Sequence, residues 1–193
     1  MSASIQTATD FDANQLVATA VLAFCTDPIV RWGITDPHQY LTRYPDVVRV
    51  FSGKAIQNHT AYYADAFAGV ALWLPPGVSF DAQALIEALQ SAVPEALQAD
   101  AFAVLEQMGN YHPKEPHWYL PLMGVEPRHQ RHGLGSALMK HALVECDRDR
   151  SLAYLEASSP ENLALYERHG FEVLGTIQVG SSPPIFPMVR GPG

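Results

Sequence analysis

Charged side chains are scarce in this chain, and basic ones are scarcer than acidic ones. They make up 17% of the 193 residues, with 12 Lys and Arg against 20 Asp and Glu. A net charge of -8 argues against general nucleic-acid binding, because that function needs a basic surface for the phosphates. The same charge mildly favours a cationic small substrate, since an acidic protein attracts cations.

Cysteines and long apolar runs are also few. Cys25 and Cys146 lie far apart and outside any CxxC pattern, which predicts two free thiols in a reduced protein. Apolar stretches such as residues 20–24 are too short to cross a bilayer, and the N-terminus lacks the basic start and apolar core of a secretory signal. We therefore expect a cytoplasmic protein with no membrane partner.

A metal site is not expected either. His129 and His132 share a loop, but the sequence around them offers no third and fourth ligand in a zinc pattern. Their spacing alone does not hold a metal ion, so the predicted metal ligands are none.

Nothing in the sequence divides the chain, because it has no internal repeat, low-complexity tract or Gly/Ser linker. We therefore expect a single domain over residues 1–193, either monomeric or a homodimer. The predicted strands span residues 5–9, 61–67, 70–74, 118–125, 152–157, 171–179 and 185–190. Together they predict an α/β (α+β) fold with a mixed central sheet of about seven strands and flanking helices.

Helices are predicted from caps and apolar periodicity. Asp10 or Asp12 caps the first, and Asp36-Pro37 begins a second that runs toward residue 59. Residues 79–112 form a helical insertion before the strand at 118–125, with Asp81 capping one helix and Pro94-Glu95 starting another. Gly109-Asn110 is expected to end that helix. A helix with one apolar face follows residue 133, and it connects strands 118–125 and 152–157, which predicts that these two strands pair in parallel.

The sharpest motif lies between that strand and that helix. Two glycines, Gly133 and Gly135, open the helix, and Arg131 stands just before them. The first N–H groups of a helix have no intrahelical partner and attract anions, and glycine lets a phosphate approach the backbone closely. The motif therefore predicts a phosphate site, although a tight turn for helix packing would use the same glycines.

The spacing of the whole segment resembles one family. Residues 125–135 match V-x-P-x-x-Q-x-x-G-x-G, and residues 162–171 match N-x-x-x-x-Y-x-x-x-G-F. Together these motifs resemble the GNAT superfamily of acyl-CoA N-acyltransferases, and residues 113–116 and 155–160 are similar to its puromycin N-acetyltransferase-like members. The resemblance implies an acetyl-CoA-dependent N-acetyltransferase with the GNAT fold. Arg131 and His132 depart from the pattern, because the family often has a glycine and a basic residue there.

The resemblance also implies roles for particular residues. The loop before the helix would hold the pyrophosphate through its amides, and the strand before it would hold the pantetheine arm. Asn162 would contact acetyl-CoA near the sulfur, and Tyr166 would protonate the departing thiolate as general acid. Gly124 is expected to form a β-bulge that separates the parallel strands. The implied cofactor-binding residues are Met123, Gly124, Val125, Gln130, Arg131, His132, Gly133, Leu134, Gly135, Ser136 and Asn162.

The general base is left open. Glu156, at the end of its strand, is the first choice, followed by His117 and Glu115, with a water relay to solvent as a further option. Each of these residues also has an ordinary structural interpretation. Glu156 could be an exposed or ion-paired strand residue, Tyr166 a core side chain, and Asn162 a helix cap.

The predicted acceptor is a small primary amine with a hydrophobic body. The apolar residues of the insertion, joined by Trp73 and Trp118, suggest an apolar pocket, as small-molecule sites usually are. Peptide acetylation, a catalytically silent acyl-CoA-binding module and a dinucleotide-binding protein are the alternatives. The last fits poorly, because Leu138 stands where the third glycine of that fingerprint belongs. The insertion residues in question are Leu85, Ile86, Leu89, Phe102, Val104 and Leu105.

Overall fold

A computed structural model describes residues 3–193, which contain one mixed sheet of seven strands. The strands lie in the order β1-β2-β3-β4-β5-β7-β6. Only β4 and β5 pair in parallel, and every other neighbouring pair is antiparallel, as predicted. The strands are β1 (Ile5–Thr7), β2 (Ala61–Ala64), β3 (Gly69–Leu74), β4 (His117–Val125), β5 (Leu152–Ala157), β6 (Glu172–Val173) and β7 (Phe186–Arg190).

Seven α-helices cover the two faces of the sheet in this part of the chain. Three of them begin at an aspartate whose carboxylate accepts a hydrogen bond from the backbone N–H three residues later: Asp27, Asp36 and Asp81. Such N-caps satisfy an amide that the helix cannot pair itself. The helices are α1 (Ala13–Ala23), α2 (Pro28–Gly33), α3 (Pro37–Gln57), α4 (Ala82–Ala92), α5 (Glu95–Tyr111), α6 (Leu134–Arg148) and α7 (Pro160–Glu167).

Three elements differ most from the sequence predictions. Helix α2 was missed, although Asp27-Pro28 repeats the Asp-Pro start that identified α3. Helix α5 runs through Gly109 to Tyr111, because its real stop is Pro113, which forces His112 out of the helical region to ψ 127°. The strand predicted over 171–179 shrinks to β6, and beyond it a single bridge joins Ile177 to Ile185.

The predicted bulge at Gly124 is wrong. Gly124 pairs regularly with Val70 of β3, whereas the register slips between Leu72 and Leu74, opposite residues 119–122 of β4. That stretch contains Pro121, which cannot donate to a ladder and is typical of bulges. Position 124 needs glycine for a different reason, which is lack of space. A Cβ there would come within 2.5 Å of the Ala23 Cβ in α1.

The sheet separates two apolar layers. Helices α1 and α3 pack on one face, and α6 packs on the other with the buried residues Leu138, Met139, Ala142 and Cys146. None of the helices in residues 3–193 has the length and hydropathy needed to span a membrane.

Candidate active site

A cavity of about 650 Å³ opens where β4 and β5 part. Their pairing ends at Leu120 and Leu155, and beyond that point the two strands line the cavity with Pro121–Met123 on one side and Glu156 and Ser158 on the other. Helices α2 to α5 close the space above this split. The site therefore lies at the point where the sheet is open.

The helical insertion supplies much of the cavity wall, as predicted. Its lining side chains are Leu85, Ile86, Leu89, Val104, Leu105 and Met108. Phe102 does not line the cavity, and neither does Trp73 or Trp118, which pack with α6 on the opposite face of the sheet. The expectation that the two tryptophans border this pocket is therefore wrong, because both side chains lie on the other side of the pleat.

The carboxylate, ammonium and guanidinium side chains of the described residues contribute only negative charge to the cavity wall. In the described part of the chain no Lys or Arg lines it, whereas Glu106 and Glu156 do. The other polar groups on the wall belong to Tyr44, His112, Tyr119, Ser158, Asn162 and Tyr166. An apolar space with acidic groups and no cation is suited to a ligand that carries its own positive charge.

The Gln130–Ser136 loop presents free backbone amides. Within residues 3–193, none of the six consecutive N–H groups from Arg131 to Ser136 donates to a backbone carbonyl. Gly133 has φ 85° and Arg131 has φ 63°, so the arginine adopts the left-handed conformation at the position where the resemblance suggested a glycine. Alternating backbone conformations of this kind turn successive amides toward one point and favour an anion.

His169 contacts the first turn of α6 and has basic neighbours. Ser136 Oγ lies 2.9 Å from His169 Nε2, at the end of α7. Burial lowers the pKa of His169, and the positive charges of Lys140 and Arg168 lower it further. Basic side chains therefore lie near the histidine that contacts the first turn of α6.

Tyr166 is buried, with 8% of its surface exposed, yet it also lines the cavity. Its ring packs edge-on against Phe171 at 6.2 Å between centroids. No hydrogen-bond partner for its hydroxyl appears within the described residues. Burial, and after it the Asp27 carboxylate, raises the pKa of Tyr166 above its ordinary value.

Asn162 lies one turn before Tyr166 on α7 and lines the same cavity. The cap of this helix is Ser159, whose Oγ accepts the Glu161 amide at 3.3 Å. The capping explanation for Asn162 is therefore not needed, and its exposed side chain is available to the cavity.

Glu156 is enclosed rather than exposed, since only 5% of its side chain is accessible. It has no Lys or Arg partner in residues 3–193, and the imidazole ring of His112 lies beside it, with Nδ1 3.9 Å from Oε1. The pKa values of Tyr119 and Tyr154 are raised above the ordinary value for tyrosine. Burial is the larger cause, and the neighbouring Glu156 carboxylate is the second.

The other two base candidates stand outside the cavity wall. His117 Nδ1 lies 2.7 Å from the Glu115 carbonyl oxygen, and burial lowers the pKa of His117. Glu115 itself is exposed. The structure thus brings Glu156, Asn162 and Tyr166 together and leaves His117 and Glu115 at the margin.

Sequence reasoning missed three residues of this site. His112 lies beside Glu156, and Ser158 on the cavity wall donates its hydroxyl hydrogen to the Asp27 carboxylate. That carboxylate also accepts the Val30 amide at 3.0 Å and so caps α2. The Asp27-Pro28 dipeptide was the available signal, whereas nothing local pointed to His112.

Comparisons with known proteins identify the family and the fold that this chain resembles. Residues 83–173 match the family model of an acetyltransferase (GNAT) domain. A structure from Corynebacterium glutamicum, described as a histone acetyltransferase and related acetyltransferase, is 27% identical, with 100% of this chain and 98% of that chain covered and a TM-score of 0.72.

Two insect enzymes share the fold. Arylalkylamine N-acetyltransferase 2 from Aedes aegypti is 15% identical, with 99% of each chain covered and a TM-score of 0.72. The Drosophila melanogaster polyamine N-acetyltransferase is 13% identical, with 98% of this chain and 99% of that chain covered and a TM-score of 0.63.

Proposed function

We propose that this chain, whose residues 83–173 match the family model of an acetyltransferase (GNAT) domain, transfers an acetyl group from acetyl-CoA to a small primary amine with a hydrophobic body. The observation that carries this proposal is the apolar cavity of about 650 Å³, which opens at the split between β4 and β5 and contains Glu156 but no Lys or Arg. Tyr166 and Asn162 lie on its wall.

The donor side fits acetyl-CoA. The unpaired amides of Arg131–Ser136 and the cations near His169 suit a pyrophosphate. Met123, Gly124 and Val125 pair with β3 on one edge, while the edge toward β5 is free beyond Leu120. That free edge offers backbone groups to the amides of the pantetheine arm. Acetyl-CoA supplies the acetyl group as a thioester.

Two side chains are proposed to move protons. Glu156 accepts a proton from the bound ammonium, which leaves a neutral amine able to attack. Tyr166 donates its hydroxyl proton to the departing sulfur, a role suited to a phenol that stays protonated at neutral pH. Asn162, one turn from Tyr166, orients the donor near the sulfur.

The acceptor class follows from the wall of the cavity. Its apolar side chains favour a hydrophobic body, while the acidic groups favour an ammonium and disfavour a carboxylate. Peptide acetylation remains the second candidate, and the relative from Corynebacterium glutamicum is the observation in its favour. A peptide would have to place its amine past the insertion helices, which cover the split between the strands.

A matched amine panel tests this proposal. Purified protein and acetyl-CoA are mixed with phenethylamine, phenylalanine, a linear diamine and a lysine-containing peptide, and free thiol release is followed, with mass spectrometry of the products. We expect turnover of phenethylamine and little of phenylalanine, which has the same body plus a carboxylate. Acetylation of the peptide alone would favour the second candidate. CoA binding without turnover on any acceptor would favour a silent module.

A further inference from the structure

Glu156 has little direct contact with solvent. Only 5% of its side chain is accessible, and that small area faces the cavity where the substrate would sit. A base that takes one proton in each catalytic cycle must return it to solvent before the next cycle. A buried base therefore needs a neighbouring group that reaches water.

His112 is the group in a position to do this. It follows the last residue of α5, lines the same cavity, and places Nδ1 3.9 Å from Glu156 Oε1. Its own side chain is 32% exposed. Because an imidazole is ordinarily more basic than a carboxylate, a proton passes readily from a carboxylic acid to it.

We propose that His112 relays the proton from Glu156 to solvent, so that the helical insertion supplies a part of the chemistry as well as a wall. This rests on the proposed function, in which Glu156 takes the ammonium proton. The Glu156 carboxyl group then gives that proton to the ring of His112, and the resulting imidazolium loses one proton to water or buffer. One proton leaves per cycle, and both side chains return to their starting states.

The surroundings of His112 fix its ring for this task. The rings of His117 and Tyr119 on β4 and of Tyr154 on β5 each lie 4.7 Å from it between centroids. Glu156 is the acidic group beside this ring, with its Oε1 3.9 Å from Nδ1. Such packing keeps the ring beside Glu156, and a gap of 3.9 Å is closed by a small rotation or by one water.

An orphaned hydroxyl in the same cluster supports access by water. Tyr154 is fully buried, yet its hydroxyl has no hydrogen-bond partner in the described part of the chain. Buried polar groups of this kind are usually satisfied by an ordered water. A water at Tyr154 would lie within the cluster that contains both His112 and Glu156.

The test is chemical rescue. His112→Ala and His112→Gln are compared with wild type, in dilute buffer, using the best amine of the panel. We expect kcat to fall roughly ten- to a hundredfold, the contribution of a positioned proton carrier, while the KM for acetyl-CoA stays unchanged. Added imidazole should restore the kcat of His112→Ala. Pyrazole, a ring of the same size but a far weaker base, should not restore it.

A neighbouring histidine serves as the control. His117→Gln removes a ring that packs against His112 but does not line the cavity, and we expect less than about a twofold change in kcat, below the effect of a proton carrier. Wild-type kcat in both His112 variants, or equal rescue by imidazole and pyrazole, would overturn the relay. A wild-type protein with no turnover on any amine would instead reject the proposed function.

Discussion

Replacing Tyr166 with Phe isolates a single hydroxyl group. The ring of Tyr166 is buried against Phe171, and its hydroxyl has no hydrogen-bond partner in residues 3–193. Phe keeps the ring and its packing, and no buried partner is left unsatisfied. We therefore expect the unfolding free energy to change by less than about 1 kcal/mol.

The expected kinetic effect is a fall in turnover of roughly ten- to a thousandfold, or about 1.4 to 4.1 kcal/mol in activation free energy. Burial and the Asp27 carboxylate raise the pKa of Tyr166, so its hydroxyl stays protonated across the neutral range and can always donate. The same shift makes it a weaker acid, and a thiolate is a tolerable leaving group without a proton. Both considerations keep the effect below what a stronger acid would contribute.

The assay must isolate chemistry from product release. Single-turnover mixing with excess enzyme gives the rate of the acetyl transfer, and calorimetric titration gives the affinity for CoA. We expect the transfer rate to fall while CoA affinity stays within about twofold. Tyr44→Phe is the matched control, because Tyr44 is another buried tyrosine on the cavity wall, placed on α3.

One result would refute this reasoning. If Tyr166→Phe shows a wild-type transfer rate where chemistry limits, the hydroxyl donates no proton and Tyr166 is a core residue. An equal loss in Tyr44→Phe would also weaken the assignment, since it would trace the effect to the shape of the cavity rather than to one donor.

Three further substitutions test separate parts of the site. Gly135→Val should weaken CoA binding at least tenfold in calorimetry. Gly135→Ala should not, because the alanine Cβ would make only an ordinary 3.4 Å contact with Leu165. Gly124→Ala should lower the unfolding free energy by about 1–3 kcal/mol in urea, since the new Cβ would lie 2.5 Å from that of Ala23. Burial raises the pKa of Asp27, so the folded state holds its proton more tightly and the contribution of this group to stability falls as pH rises above the ordinary aspartate pKa. Asp27→Asn lacks this titration, and its stability relative to wild type should therefore increase as pH rises above the ordinary aspartate pKa; a constant difference would contradict the sign.

Most of the fold could be predicted from local sequence patterns. The apolar face of α6 could be predicted because Leu138, Ala142 and Cys146 recur at helical spacing, and all three are buried. The parallel pairing of β4 and β5 followed from the length of the crossover between them, since a long connection permits a parallel return. Asp81 capped its helix as predicted.

Signals that depend on tertiary contact were misinterpreted. An interior glycine suggested a bulge at Gly124, but the requirement for glycine there comes from α1, which the sequence places about a hundred residues earlier. The bulge lies at the stretch with Pro121, a residue whose meaning is local and was available. The strand predicted at 171–179 failed because only Glu172–Val173 finds a partner in β7.

Site residues fall into the same two classes. The loop of Gly133 and the helix of Tyr166 belong to contiguous motifs, so their positions could be anticipated, although their roles remain proposals. His112 could not be anticipated, because it becomes a neighbour of Glu156 only when the end of the insertion reaches the end of β5. Contacts between distant segments leave no periodic trace in a sequence.

The position of the proposed chemistry follows from where the sheet opens. The register slip opposite residues 119–122 coincides with the last parallel pair, Leu120 and Leu155. The next residue of each strand, Pro121 and Glu156, has no pairing partner across the gap between β4 and β5, and both line the cavity. A carboxylate at position 155 would lie in the paired part of β5 and among the apolar side chains that pack with α6, since side chains alternate along a strand. The same split leaves the β4 edge free for the donor, so a single irregularity positions both substrates of the proposed reaction.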